Sequence, residues 1–169
     1  MRSSTTSWRV AILLSLAVFS CTAAKLPESA AVRRVIDGDT IELTSGALVR
    51  YIGIDAPEVR RREGGRWRMD PDPYGLEAMD ANRRLVEGKI VRLEYDLEKR
   101  DRYGRLLAYV SVDGQMVNAA LLEAGDAQLL TVPPNVRHLD EFRQLAAQAR
   151  QAKRGLWAQD ERSHERRRH

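Results

Sequence analysis

Apolar and polar positions change rhythm several times along the chain, and each change marks an element. Residues 31–36 are apolar and β-branched around two arginines. Thr40–Leu43 alternates, and residues 48–54 form a mostly apolar run, with Ser45 and Gly46 between the two. Asp37-Gly38 is a tight-turn signal separating the first two runs. Together the three segments predict a β-meander that ends before Pro57. Residues 75–87 predict a helix, with Leu76, Met79, Leu85 and Val86 as a partial apolar stripe and Gly88 as its stop. Alternation returns at 90–95 and again over Leu106–Val112, which runs into the hairpin signal Asp113-Gly114. A short helix is predicted over 117–123, stopped at Gly125. A longer one follows over 137–154, with Leu139, Phe142, Leu145, Ala146 and Ala149 on one face. Trp157 is expected to fold back into the core.

Five strands with a helix between the third and fourth predict an α+β, mainly β, domain: a five-stranded OB-fold β-barrel with three helices. Periodicity alone leaves other α+β arrangements open. Residues 59–73 interrupt the pattern with two glycines, two prolines and five arginines, without usable periodicity. This stretch reads as an exposed loop of the sort that carries function or stays mobile.

The ends of the chain have a different character. Residues 1–9 are polar with two arginines, 10–20 are apolar, and small residues follow at 21–24. That is the layout of an export signal, and the run is shorter than the roughly 20 residues a membrane-spanning helix needs. Residues 1–24 are therefore set apart as a signal, 30–158 as the domain, and 159–169 as a disordered basic tail. Cys21 is the one cysteine of the chain, which rules out an intrachain disulfide. The run Val18-Phe19-Ser20-Cys21 resembles a lipobox, so Cys21 is either a lipid anchor or a bystander in an ordinary signal cut after Ala24. Both readings place the mature protein outside the cytoplasm: secreted, periplasmic or lipid-anchored at a bacterial cell envelope.

Charge narrows the partner. Lys and Arg total 28 against 24 Asp and Glu, a net +4, and the positive charge clusters at 60–68 and 162–169. Such clusters favour a polyanion or an anionic membrane surface, or form a solvated face.

Three short motifs carry candidate chemistry. Asp37-Gly38-Asp39-Thr40 places carboxylates at a hairpin turn. Asp55-Ala56-Pro57-Glu58 places two more after an apolar strand that holds Arg50. Asp101-Arg102-Tyr103-Gly104-Arg105 opens the fifth strand. Cleaving a phosphodiester needs a cation on the phosphate, a base for water and donors for the phosphoryl oxygens. Calcium, magnesium and similar hard cations take carboxylate oxygens, and arginine grips phosphate through two parallel hydrogen bonds. Each motif alone also reads as an ordinary turn. Their order on one short domain is what makes them specific.

In that order they resemble the staphylococcal nuclease family, also called thermonuclease or micrococcal nuclease. The matching runs are VIDGDTIEL at 35–43, VRYIGIDAPE at 49–58, YGLEA at 74–78, DRYGRLLAYV at 101–110, DGQMVNAALLEAG at 113–125 and RGLW at 154–157. The resemblance implies an SNase-like OB-fold endonuclease that hydrolyses DNA and RNA with one calcium ion, leaving 3′-phosphate ends. It implies metal ligation by Asp39, Asp55 and the main-chain carbonyl of Ala56, with Thr40 reaching the metal through water. Glu58 would be the general base, with Arg50 and Arg105 on the scissile phosphate. Arg102 and Tyr103 would bind substrate at a terminal phosphate, and Asp37 would support the turn.

Two departures from that family matter. Ala56 replaces a frequent threonine, which is harmless for a ligand acting through its carbonyl. The stretch Leu130-Thr131-Val132-Pro133-Pro134 lacks the two tyrosines that line the nucleotide pocket of the best-known member. His138 is expected at the surface. No obligate protein partner is inferred and a monomer is expected. The rival functions are a non-catalytic OB-fold nucleic-acid-binding module and a surface-anchored interaction lipoprotein.

Overall fold

The computed structural model describes residues 25–158. The expected export signal with Cys21 and the basic tail at 159–169 lie outside the described residues. In chain order the elements are β1 (Ser29–Asp37), β2 (Thr40–Leu43), β3 (Leu48–Tyr51), β4 (Ile54–Asp55), β5 (Arg60–Glu63), β6 (Arg66–Met69) and α1 (Gly75–Val86). They continue with β7 (Ile90–Glu94), β8 (Leu106–Val112), β9 (Gln115–Met116), α2 (Val117–Ala124), β10 (Gln128–Leu129) and α3 (Leu139–Gln151).

The sheet runs β3-β2-β1-β7-β8-β9, and a parallel pairing of β3 with β8 closes the first five into a barrel. One strand can serve both halves because β1 bends. Its register against β2 shifts between Val32 and Arg34 and again between Val35 and Asp37, and such irregularities kink and twist a strand. The early part of β1 therefore pairs with β7, Ser29 opposite Arg92, while the later part pairs with β2. Ile41, Val49, Leu106 and Val110, from the facing strands, fill the interior and are at most 1% exposed. Closure also removes the free edges that a five-stranded open sheet would present. The fold is α+β of OB type with three helices, as the pattern and the resemblance predicted.

The structure corrects the sequence reading at several places. The third strand does not run through 48–54. Gly53 takes φ +83°, a left-handed conformation that favours glycine, and a Cβ there would lie 2.7 Å from the Phe142 ring. This break turns Ile54 and Asp55 away from the barrel to pair with β10, Gln128 opposite Asp55. It is the feature that aims Asp55.

The segment 59–73 is not a structureless loop. Four cross-strand pairs, from Arg60–Met69 to Glu63–Arg66, make it a β-hairpin. Gly64 and Gly65 turn it, both with positive φ, as two-residue hairpin loops require. Pattern reading missed it because most of its side chains face water on both sides of the ribbon, so no alternation was left to see.

The last helix is shorter than expected, Leu139–Gln151 rather than 137–154. The chain just before Trp157 does return, with Leu156 N–H bonding to Gly125 C=O at 2.9 Å. Its side chain, however, is only half-buried, with the Arg150 guanidinium 5.0 Å from the ring centre. Nor is His138 a plain surface residue. It is half-buried, its ring 4.5 Å from Tyr109, and it pairs with Glu94 at 3.3 Å.

Candidate active site

The β1–β2 turn is built to hold Asp39 in place. Asp37 Oδ1 accepts the Asp39 N–H at 3.1 Å, a local side-chain-to-backbone bond typical of Asp at turns. Helix α1 supports the turn from behind: Asn82 Nδ2 donates to Asp37 C=O at 3.1 Å and Asn82 Oδ1 accepts the Tyr51 hydroxyl at 2.9 Å. Asn82 is fully buried, so these bonds satisfy groups that water cannot reach.

Asp39 itself is 4% exposed. Its Oδ2 accepts the Ala56 N–H at 2.7 Å and its Oδ1 accepts the Thr40 hydroxyl at 3.0 Å. Burial pushes its carboxyl well above the usual range. The Arg50 charge and the Ala56 N–H pull the other way, and Asp37 adds to the rise. Arg50 stands directly opposite Thr40 in the β2–β3 ladder, which carries its guanidinium to Asp39. Its Nη1 forms an ion pair with Asp39 Oδ2, and its Nη2 donates to Asp55 Oδ1 at 2.7 Å. One guanidinium thus bridges two aspartates from different turns. Gln128 Nε2 reaches the other Asp55 oxygen at 3.4 Å.

Glu58 follows three residues later on the exposed rim. Its backbone carbonyl accepts the Asp72 N–H at 2.8 Å, and a Cβ on Gly75 would come within 2.7 Å of that oxygen. Only a glycine lets α1 start so close. Partial desolvation raises the Glu58 carboxyl above its usual range. Asp37 and Asp55 add to this, while Arg50 and Arg105 oppose it. The residues named by sequence on four separate segments therefore share one electrostatic neighbourhood. Asp55, Glu58, Asp72, Gln128 and Trp157 line the adjoining depression, of about 320 Å³. A second depression of the same volume, beside Arg92, Glu94 and Ser111, gathers no comparable set.

Arg105 is held by Asp101. Its Nε donates to Asp101 Oδ2 at 2.6 Å, while Oδ1 accepts the N–H groups of Tyr103 and Arg105 at 2.9 and 3.0 Å. Desolvation works against the Asp101 charge, yet these bonds keep its carboxyl below the usual range. Tyr103 is exposed, with the Arg102 and Arg105 guanidinium carbons 4.8 and 5.6 Å from its ring centre. The stretch Thr131 to Pro134 is exposed and holds no aromatic side chain.

Among the described residues, no three acidic, histidine or cysteine side chains converge as a ready metal cage. What converges is the pair Asp39 and Asp55, on a cation that the chain supplies itself. The donors are carboxylate oxygens, and no thiolate or imidazole stands among them. Such a set fits a hard divalent ion.

Three supporting residues were missed by pattern reading. Asn82 was detectable, because a polar residue four after Ala78 lies on the inner stripe of α1. Gln128 and Asp72 gave no signal, since one lies in a two-residue strand and the other at the foot of an unrecognised hairpin. Gly38 was read only as a turn former, but a Cβ there would lie 2.5 Å from the Ala56 Cβ and 3.0 Å from that of Ala78. Gly38→Ala is therefore expected to destabilise the fold by about 1–3 kcal/mol, as overpacking does. An unchanged urea midpoint would contradict that.

The site and fold together define a small OB-type barrel with an acidic cleft edged by arginines. A family model described as staphylococcal nuclease homologue matches residues 48–159, and the chain belongs to that family. The SPbeta prophage-derived endonuclease YokF of Bacillus subtilis is 38% identical over 75% of this chain and 43% of its own length. Endonuclease YncB of the same organism is 38% identical over 74% of this chain and 59% of its own. The thermonuclease of Staphylococcus hyicus is 38% identical over 74% of this chain and 73% of its own. The chain thus spans about half the length of the two Bacillus relatives.

Proposed function

We propose that the chain is a metal-dependent nuclease that hydrolyses phosphodiester bonds of DNA and RNA with one calcium ion and leaves 3′-phosphate ends. The observation that carries this reading is the bridge from Arg50 to Asp39 and Asp55, next to a Glu58 that feels both Arg50 and Arg105. The names of the relatives, endonuclease and thermonuclease, support the nuclease part of this reading. Calcium, rather than another hard ion, rests on the family resemblance alone.

Asp39, Asp55 and the Ala56 carbonyl would hold the ion, which when bound neutralises phosphate charge and orients the diester. Glu58 takes a proton from the attacking water at its carboxylate. The water oxygen bonds to phosphorus, the bond to the 5′ oxygen breaks, and that oxygen leaves with a proton from solvent. Arg50 and Arg105 donate N–H bonds to the phosphoryl oxygens as negative charge grows there. Both guanidiniums are already oriented by aspartates, Arg50 by Asp39 and Asp55, Arg105 by Asp101. Arg102 and Tyr103 extend the cationic edge toward a terminal phosphate. Export rests on residues 1–24, with secretion or lipidation at Cys21 as the two routes, and membrane fractionation separates them.

The test is digestion of single- and double-stranded DNA and RNA with calcium, magnesium, manganese or chelator. Cleavage is expected with calcium and absent with chelator, and the products should carry 3′-phosphates. Cleavage that persists in chelator would overturn the metal-dependent reading.

A further inference from the structure

The hairpin β5–β6 buries little, yet it is distinctive in what it leaves out in solvent. In an antiparallel ribbon, directly opposed residues point to the same face. Arg60, Arg62, Trp67 and Met69 therefore share one face, and Arg61, Glu63, Arg66 and Arg68 share the other. The second face is charge-compensated in sum, its three arginines set against Glu63, Asp70 and Asp72: Arg61 pairs with Asp72 and Asp70 and Arg68 with Glu63 at 2.8 Å, while Arg66 enters no ion pair among the described residues. The first is not. Arg60 folds back to the Ile36 carbonyl at 3.2 Å, but Arg62 enters no ion pair among the described residues. Directly across from it stands Trp67, 67% exposed, with Met69 beside it at 62%.

The ribbon is rooted at the cleft. Val59, next to Glu58, is 1% exposed and anchors the first strand. Asp70 N–H bonds to Val59 C=O at 3.2 Å and Asp72 N–H to Glu58 C=O at 2.8 Å. Asp72 itself lines the depression beside Asp55 and Glu58. Four residues of strand extend about 13 Å, so the ribbon carries its tip well beyond the reacting residues.

We propose that the Arg62–Trp67–Met69 face of this hairpin is a second substrate subsite. It grips an unpaired nucleotide of a nucleic-acid strand that continues out of the cleft past Glu58. Trp67 offers a π-face for an unpaired base, and Arg62, one strand spacing away, offers a cation to a neighbouring phosphate. Aromatic stacking beside an uncompensated charge is the chemistry by which proteins hold single strands without reading their sequence. A base paired within a duplex cannot stack on Trp67, so the subsite favours single-stranded or locally opened substrates. An exposed Trp beside Arg also suits an anionic membrane surface. The rooting of the ribbon in the cleft favours nucleic acid. This inference rests on the nuclease reading of that cleft.

The experiment uses the full chain and two single-stranded substrates, a dinucleotide confined to the cleft and an oligothymidylate of about a dozen nucleotides. W67A and R62Q are each expected to raise KM for the longer strand about tenfold and to change the dinucleotide KM less than twofold. W67F should restore most of the loss, because it keeps a stacking face. R66Q removes the same charge from the opposite face and should change neither KM more than twofold. R62Q should also flatten the salt dependence for the longer strand by about 0.7 in log–log slope, the amount one phosphate contact contributes on a single strand. Equal effects on both substrates, or none on the longer one, would overturn the proposal. So would W67A losing phosphatidylserine-vesicle binding while keeping the wild-type KM for the oligonucleotide. Failure of the unmutated protein to cleave either substrate would instead strike the nuclease reading itself.

Discussion

Replacing Glu58 with glutamine is expected to lower the cleavage rate about 10²- to 10⁴-fold, the range a general base contributes. The substitution is a clean one. Glu58 lies on the exposed rim, its carboxylate makes no ion pair or hydrogen bond among the described residues, and its structural contacts run through its backbone carbonyl. Glutamine keeps the length and shape of the side chain while removing the capacity to take a proton from water. E58Q should therefore melt at or slightly above the wild-type temperature, since a carboxylate raised above its usual range costs stability when charged, and bind an oligonucleotide within twofold of wild type, as a lost catalytic group requires. Rates measured at saturating substrate separate this from weakened binding, since KM should hold while kcat falls. A wild-type kcat for E58Q would remove Glu58 from the proton-transfer role and leave water activation to another group.

How much of this was legible in the sequence depends on where each residue stands. Asp39, Asp55, Glu58 and Arg105 were readable because each lies at the end of a segment whose pattern is plain, a turn at Asp37-Gly38, a strand ending at Pro57 and the DRYGR turn, and Arg50 because it is a charged residue inside an otherwise apolar run. Their convergence was not readable from periodicity. It depends on the parallel β3–β8 closure and on the break at Gly53, a position where the ring of Phe142, some ninety residues later in the chain, leaves no room for a side chain. Tertiary contacts of that reach leave no local trace. The ordered resemblance supplied the convergence instead. Asn82 shows the opposite case, a buried polar residue on an otherwise inward stripe of α1, detectable in principle and structurally central. The hairpin shows a third. Its Gly64-Gly65 turn signal was present, but strands exposed on both faces leave no alternation to flank it, so composition spoke louder than pairing.

Arg50→Met is expected to separate the two cations that the centre serves. Arg50 and Asp39 have side-chain exposures of 14% and 6%, so their pairing is shielded from solvent and from screening by salt. Removing the guanidinium leaves a buried carboxylate with only the Ala56 N–H and the Thr40 hydroxyl as donors. Breaking one side of such a pair typically costs about 3–5 kcal/mol, so R50M without metal should melt well below wild type. The same change frees Asp39 and Asp55 from the cation that now bridges them. Divalent calcium should then raise the melting temperature of R50M by more than that of the wild type, since a ligand's stabilisation grows with the logarithm of its affinity for the folded state. Cleavage should nonetheless fall about 10²- to 10³-fold, the usual loss when one donor to a developing oxyanion is removed. Lower activity together with a larger calcium shift cannot be assigned to a damaged metal site, and leaves the phosphate-gripping role of Arg50 as the missing term. If the calcium shift shrinks along with activity, Arg50 is shaping the ion site rather than competing for it, and the two roles given to this centre would have to be merged.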